Sequence, residues 1–254
     1  MKRLLFTILF IYFLLQTAVF GDDTELKSEI KELRKEVSEL RNDIKGLRKL
    51  METRLKKQPS VPKQPTTGKT NINGDPYMGK ADAPLVLVEF SDYECFYCAR
   101  FFRETLPQIR KEYIDTGKLK HVFKDFPLRF HKKAKKAAEA SLCAGEEQKY
   151  WEMHDLVFEN QKQIDIPHLI NHAKTLDLKA DDFEKCLNDS RYAKEIDKDI
   201  NTGQKIGVRG TPSFILGKIN DKGEVEGDII RGARPYKAFK SALDAMLAET
   251  KTAN

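Results

Sequence analysis

The sequence predicts an α/β protein, a small mixed sheet flanked by helices and preceded by one long coiled-coil helix. Three observations predict it. Apolar residues recur every seven positions over 25–57, short β-branched runs alternate with helical patterns from Tyr77 onward, and a helical stretch at about 131–206 separates the first two strand-like runs from the last two. The 254 residues leave room for one domain with appendages, and an apolar fraction of 40% supports a packed core.

The opening, MKRLLFTILFIYFLLQTAVFGDD, places Lys2 and Arg3 before an apolar run from Leu4 to Phe20. That is the pattern of an export signal, and Val19 and Gly21 suit the positions before a cleavage point. The run is slightly long for a signal core and slightly short for a spanning helix. Residues 1–21 are therefore read as a signal peptide or an uncleaved membrane anchor. Either reading puts the body of the protein in a periplasmic or other extracytoplasmic space, where disulfides persist.

Residues 22–57 follow as a stalk. With Ile30, Val37, Ile44 and Met51 at heptad position a, Leu26, Leu33, Leu40 and Leu47 fall at d. β-Branched a residues with leucine at d favour a parallel two-stranded coiled coil. Glu29, Glu36 and Asp43 occupy g, and Arg34, Arg41 and Arg48 occupy e of the next heptads. In a parallel homodimer each acid meets an arginine of the other chain. A homo-oligomer is expected, with a dimer favoured and a trimer as the alternative. Residues 58–76, QPSVPKQPTTGKTNINGDP, carry four prolines and few apolar side chains, as an extended linker would.

The globular domain is read as 77–250. PLVLVEF at 84–90 is a buried strand by its apolar, β-branched run, and CARFFRETLPQIRKEYIDTG reads as a helix with Phe101, Phe102, Leu106 and Ile109 at helical spacing. KLKHVFKDFPL at 118–128 is a second strand. Residues 131–206 read as helical, with breaks near Gly145, at Asp165-Ile166-Pro167 and near Asp177. TPSFILG at 211–217 and GDIIRG at 227–232 are two more strands, and RPYKAFKSALDAMLAET is a closing amphipathic helix.

Charge excludes one class of partner. The net charge is +6, of which Lys2 and Arg3 lie in the first 21 residues. The densest basic run, HKKAKK at 131–136, reads as a solvated helix face, so no nucleic acid is expected.

The chemistry is carried by SDYECFYCARFF, where Cys95 and Cys98 stand two residues apart just after a strand. A zinc site needs a second Cys pair or histidines at ligand spacing. Cys143 and Cys186 stand singly, and His168 and His172 enclose LIN without the glutamate of a metalloprotease, so no metal and no cofactor are expected. A redox pair fits better. Cys95 at a helix start faces unpaired N–H groups, which lowers its thiol pKa and leaves it accessible, while Cys98 lies one turn in as the resolving thiol. A fall in pKa from about 8.5 to about 4 would stabilise the reduced state by roughly 4 kcal/mol at pH 7. Trp151 and His154, in KYWEMHDLVF, read as packing residues.

VEFSDYECFYC, CAGEEQKYWEMHD and GVRGTPSF together resemble the DsbA-like thioredoxin-fold disulfide oxidoreductases, over about Tyr77 to Leu247. The resemblance implies a thioredoxin fold with an inserted helical domain, Cys95 as attacking thiolate and Cys98 as resolving thiol. It implies that Pro212, after Thr211, is a cis-proline facing the cysteines and binding substrate backbone. It also implies Glu89 as a buried acid that assists proton transfer, with Lys124 on the next strand as its candidate partner. The family's usual dipeptide between the cysteines is replaced by Phe96-Tyr97, residues that tune the potential. The stalk resembles the oligomerisation segments of ScsC-type relatives. Cys143 and Cys186, 43 residues apart in an exported chain, are expected to bridge. The partners implied are cysteine-containing exported proteins. A membrane oxidant of DsbB or vitamin K epoxide reductase-like type is implied for an oxidase, a reducing partner for an isomerase. A non-catalytic coiled-coil scaffold presenting a thioredoxin-fold binding module is the alternative, and the CxxC pair argues against it.

Overall fold

The computed structural model describes the backbone of residues 2–57 and 64–252, and side chains over 25–54 and 64–249. The chain divides into two compact units, Met1–Pro62 and Lys63–Asn254. The first contains a single helix, α1 (Lys2–Lys57). Its described heptad residues are exposed: Ile30 is 42% exposed and Met51 65%. The side chains of the expected signal or anchor, 1–21, and linker residues 58–63 lie outside the described residues. Among the described residues no helix is long and apolar enough to cross a membrane.

The second unit is built on six strands, β1 (Thr67–Asn71), β2 (Tyr77–Met78), β3 (Leu85–Ser91), β4 (Leu119–Asp125), β5 (Ser213–Ile219) and β6 (Glu224–Arg231), in the order β1-β6-β5-β3-β4-β2. β3 and β4 run parallel, and the other neighbours pair antiparallel. β3 and β4 are buried along their whole length, as their apolar runs require. β1 corrects the sequence reading, because it lies inside the stretch taken as linker. TGKTN has no apolar residue, and only Thr70 is buried. An edge strand like this is held by backbone pairing, here Thr67 to Asp228 through Asn71 to Glu224, and leaves no hydrophobic period to read. The domain thus begins before Thr67 rather than at Tyr77.

The helix after β3 runs through α2 (Phe96–Arg100), a π turn (Phe101–Thr105), α3 (Leu106–Ile109) and a second π turn (Arg110–Ile114). Pro107 has no N–H to give to the turn before it, so the helix locally widens there. Phe101, Leu106 and Ile109 pack on Leu85, Leu87 and Phe214 of the sheet and Phe239 of the last helix, α9 (Tyr236–Thr252).

Five helices form the insertion: α4 (Ala134–Gly145), α5 (Tyr150–Glu159), α6 (Ile166–Thr175), α7 (Ala180–Asn188) and α8 (Ala193–Lys205). Asp165 caps α6 by accepting from the His168 N–H, and a proline stands in the first turn, which explains that break. The break between α7 and α8 carries no sequence signal; Ser190 adopts φ 49° there without the glycine that usually marks such a turn. Met153, Val157, Phe158, Leu169, Leu187 and Ile196 form the insertion's core, which continues without interruption into Tyr93, Phe123, Cys95 and Cys98. α8 packs over the other side of the sheet at Gly203, where a Cβ would stand 2.6 Å from the Phe126 ring and 3.1 Å from Phe90. Only glycine admits that approach.

Cys143 of α4 and Cys186 of α7 are disulfide-bonded, with Cα atoms 6.0 Å apart and a sequence separation of 43. In the chain-entropy model a loop of that size stabilises by about 4 kcal/mol. The double substitution Cys143→Ala, Cys186→Ala is expected to lower the unfolding free energy by roughly that amount in a denaturant titration. A loss below about 1 kcal/mol would mean the insertion is held by its apolar core alone.

Candidate active site

β3 ends at Ser91, and the chain turns through Asp92-Tyr93-Glu94 into α2. Asp92 ties this turn down. Its Oδ1 accepts from the Glu94 N–H at 2.7 Å, and its Oδ2 accepts from the Leu128 N–H at 2.7 Å and contacts His131 Nδ1 at 2.8 Å. Burial pushes the Asp92 carboxyl up, against the pull of these donors. The Asp92 carbonyl accepts from the Cys95 N–H at 3.0 Å. Gln161 Nε2, arriving from the insertion, donates to the carbonyls of Tyr93 at 2.7 Å and Cys95 at 3.1 Å.

Cys95 is the N-cap of α2, with φ −76° and ψ 121°. Its Sγ lies 3.5 Å from the carbonyl oxygen of Thr211, and the Thr211–Pro212 peptide is cis. Both Cys95 and Cys98 are free thiols. The Cys95 thiol is lowered to about 6, first by a hydrogen bond from the Cys98 thiol, then by Thr211 and the N–H groups of Cys98 and Tyr97; burial opposes them. Cys98, fully buried, is pushed well above the ordinary thiol range, first by desolvation and then by its bond to Cys95. One sulfur is thus made a nucleophile and the other its proton donor.

The magnitude is smaller than the helix-start argument anticipates. A pKa of about 6 stabilises the reduced state by roughly 1.4 kcal/mol at pH 7, or about 30 mV for two electrons. The reason is geometric. Cys95 is 5% exposed, not open to solvent as expected, and its desolvation offsets part of what the donors gain.

Glu89 is 2% exposed, and its Oε2 lies 2.9 Å from His121 Nε2. Its charge adds to what holds the Cys98 thiol up. Lys124 is not its partner. Glu89 stands opposite Phe123 in the parallel register, so His121 and Phe123 share its face while Lys124 points to the other one. There Lys124 Nζ bonds Asp75 at 2.6 Å and Asp199 at 2.8 Å, a buried ion cluster that ties the start of the domain to α8. With Phe123 fixed opposite Glu89, a step of two along β4 leads to His121.

Phe96 and Tyr97, between the cysteines, are 64% and 54% exposed and meet edge to face with ring centres 5.6 Å apart. Trp151 Nε1 donates to the Tyr77 carbonyl at 2.9 Å, and buried His154 lies 4.8 Å from the Phe123 ring, centre to centre. His168 contacts Asp165 at 2.6 Å, and His172 Nε2 lies 3.0 Å from the Gln163 carbonyl, so the two do not converge.

A nucleophilic thiol at a helix start, a buried partner thiol and a facing cis-proline on a sheet of this topology define a thioredoxin-fold dithiol centre. The thioredoxin family model matches residues 71–245, and the chain belongs to that family, in its DsbA-like branch. The disulfide bond formation protein D of Bacillus subtilis is 30% identical over 190 residues, 71% of this chain and 81% of that protein. The crystal structure of alpha-DsbA1 from Wolbachia pipientis superposes with a TM-score of 0.64 at 28% identity, covering 71% of this chain and 94% of that one. A Na(+)/H(+) antiporter NhaA 3 of Salinispora tropica is 33% identical over 169 residues, 66% of this chain; the chain spans about a quarter of that relative's length.

Alkylation of Cys95 should follow its thiolate. Below pH 6 the thiol is protonated and slow; above it the rate should plateau, with half-maximum near pH 6. Cys98 should stay unmodified through pH 9. Iodoacetamide trapping read by mass spectrometry checks this, and a Cys95 midpoint at the ordinary value of about 8.5 would show that the Cys98 donor is not engaged.

Proposed function

We propose that the protein is an extracytoplasmic thiol–disulfide oxidoreductase acting on cysteine-containing exported proteins. One observation carries this: the Cys95 thiol is driven down and the Cys98 thiol up, side by side, against the cis Thr211–Pro212 peptide. In the oxidising direction a substrate thiolate attacks Cys95 Sγ of the Cys95–Cys98 disulfide, and Cys98 leaves as a thiolate. A second substrate thiolate then attacks the substrate sulfur of the mixed disulfide. Cys95 departs as a stabilised thiolate, and two electrons have passed to the enzyme pair. Glu89 with His121 serves the Cys98 proton. Thr211 and Pro212 pair with substrate backbone. A non-catalytic scaffold would have no use for two thiols with pKa values forced apart.

Residues 1–21 export the chain, as a cleaved signal or as a retained anchor in the inner membrane. Residues 22–57 form a parallel coiled-coil dimer, with the trimer as the alternative. The exposed stripe from Leu26 to Met51 supports self-association, since apolar side chains at 42–65% exposure gain most from a second copy. The linker ends before Thr67 and lets two catalytic domains reach one substrate. Linking them raises the effective concentration of the second site to the order of mM for a short flexible linker. That favours isomerisation, with the pair kept reduced by a reducing partner. A single domain instead serves as a dithiol oxidase, recharged by a membrane partner of DsbB or vitamin K epoxide reductase-like type.

The test uses the full chain and a chain beginning at Gln64. Light scattering should give a dimer for the first and a monomer for the second. Refolding of a scrambled disulfide protein should be efficient only with the full chain, and Cys98→Ser should accumulate mixed disulfides at Cys95. A trimer would change the stoichiometry alone. A monomeric full chain, or isomerase activity unaltered by truncation, would reduce the stalk to a spacer. Full turnover by Cys98→Ser would overturn the assignment of the two sulfurs.

A further inference from the structure

A groove of about 730 Å³ opens between the loop after β4 and the end of α8. Phe126, Phe130, Ile200 and Val208 give it an apolar floor and wall, and Arg129 and Arg209 stand on its rim. The other lining side chains are neutral, so it contains no carboxylate. Neither arginine has a carboxylate within 4.0 Å among the described residues. Arg209 Nη1 is held by the backbone carbonyls of Gln204 at 3.0 Å and Val208 at 3.1 Å, which fix its direction without neutralising it. Phe130 is 71% exposed, the most open of the domain's large apolar residues, and its ring is steadied by His131 at 4.5 Å between centres.

The groove is joined to the redox centre on both sides. Leu128, in its wall, donates its N–H to Asp92, whose carbonyl accepts from Cys95. Val208 lies three residues before Thr211, whose carbonyl faces the Cys95 sulfur. Three residues of extended chain reach at most about 11 Å. A peptide bonded to Cys95 and running along the cis-proline loop would therefore bring its third or fourth residue from the cysteine into this groove.

We propose that the groove is a substrate subsite for extended polypeptide carrying an acidic residue three or four positions from the reactive cysteine, next to an apolar one. The acid meets Arg129 and Arg209, and the apolar side chain lies on Phe130 and Val208. This rests on the oxidoreductase reading and specifies its substrate class. Charge complementarity selects the occupant: two unpaired cations over an apolar surface leave a basic segment repelled and a neutral one with part of the contact.

The experiment uses the full chain carrying Cys98→Ser and a series of cysteine peptides, each supplied as its mixed disulfide with glutathione. Cys95 thiolate attacks the peptide sulfur, glutathione leaves as a thiolate, and a peptide–enzyme disulfide forms with no net oxidation. The peptides differ only in bearing Glu, Gln or Lys at the third or fourth position on either side of the cysteine. Coupling should rank Glu over Gln over Lys at one of these positions, with Glu about fivefold faster than Gln at low salt. The ratio should shrink toward one in 1 M salt and in the Arg129→Ser, Arg209→Ser double variant. Being a ratio between peptides, it is insensitive to a general loss of activity. Equal rates for the three peptides at every position overturn the proposal, as does a preference that survives the double substitution. Arginine-dependent binding to phosphatidylglycerol vesicles without any peptide preference also overturns it and makes the groove a membrane contact. If no peptide couples at Cys95 at all, the oxidoreductase reading itself fails, and the subsite proposal with it.

Discussion

Two sulfurs sharing one proton are the constraint on which the rest of this domain depends. The Cys98 thiol donates to the Cys95 sulfur, and the helix start adds the N–H groups of Tyr97 and Cys98. Such an arrangement works only if Cys98 is dry enough to keep its proton and Cys95 is held within reach of it. The first condition is met by the junction of cores, where the insertion's apolar interior runs up to both cysteines. The second is met by Asp92, whose carboxylate secures the turn before the helix to the backbone beyond β4.

The inserted helices thus have a mechanical part in the chemistry. Gln161 reaches from the insertion to the carbonyls of Tyr93 and Cys95, so the turn bearing the nucleophile is clamped from two sides. The Cys143–Cys186 disulfide joins α4 to α7 within that insertion and limits how far the helices can separate. On the far side of the sheet, Lys124 binds Asp75 and Asp199 and holds α8 to the strand. Removing one member of a buried ion cluster strands the others without water, so this tie is costly to break. The cost of the dry site is paid in acidity, since the same burial that protects the thiols resists the ionisation of Cys95.

Much of the site was legible from residues alone. CxxC after an apolar run placed a thiol pair at a strand-to-helix junction, and GVRGTPSF placed Thr211 and Pro212 against it by resemblance. What was misjudged came from side-chain parity and from edges. Lys124 is the residue the sequence offers to Glu89, and His121 is the one that meets it, because strand direction and register are not written in a single strand; only the parallel pairing puts His121 on the same face as Glu89. β1 reads as linker in the sequence because its contribution is backbone hydrogen bonding, which leaves almost no trace in side-chain type.

By itself the sequence determined the periodic and local features: the heptad stripe of α1, the buried runs of β3 and β4, the breaks at Gly145 and Asp165, and the spacing of the two cysteines. These follow from short-range rules, in which a residue's type and its neighbours a few positions away decide the outcome. The tertiary structure decided how acidic Cys95 is, which residue meets Glu89, where the domain begins, and that a basic, apolar groove opens between the loop after β4 and the end of α8. Each of these is a balance between groups far apart in sequence. Thr211 is 116 residues from Cys95, and Asp199 is 75 from Lys124. Desolvation and charge act through space, so their sum exists only once the chain has folded.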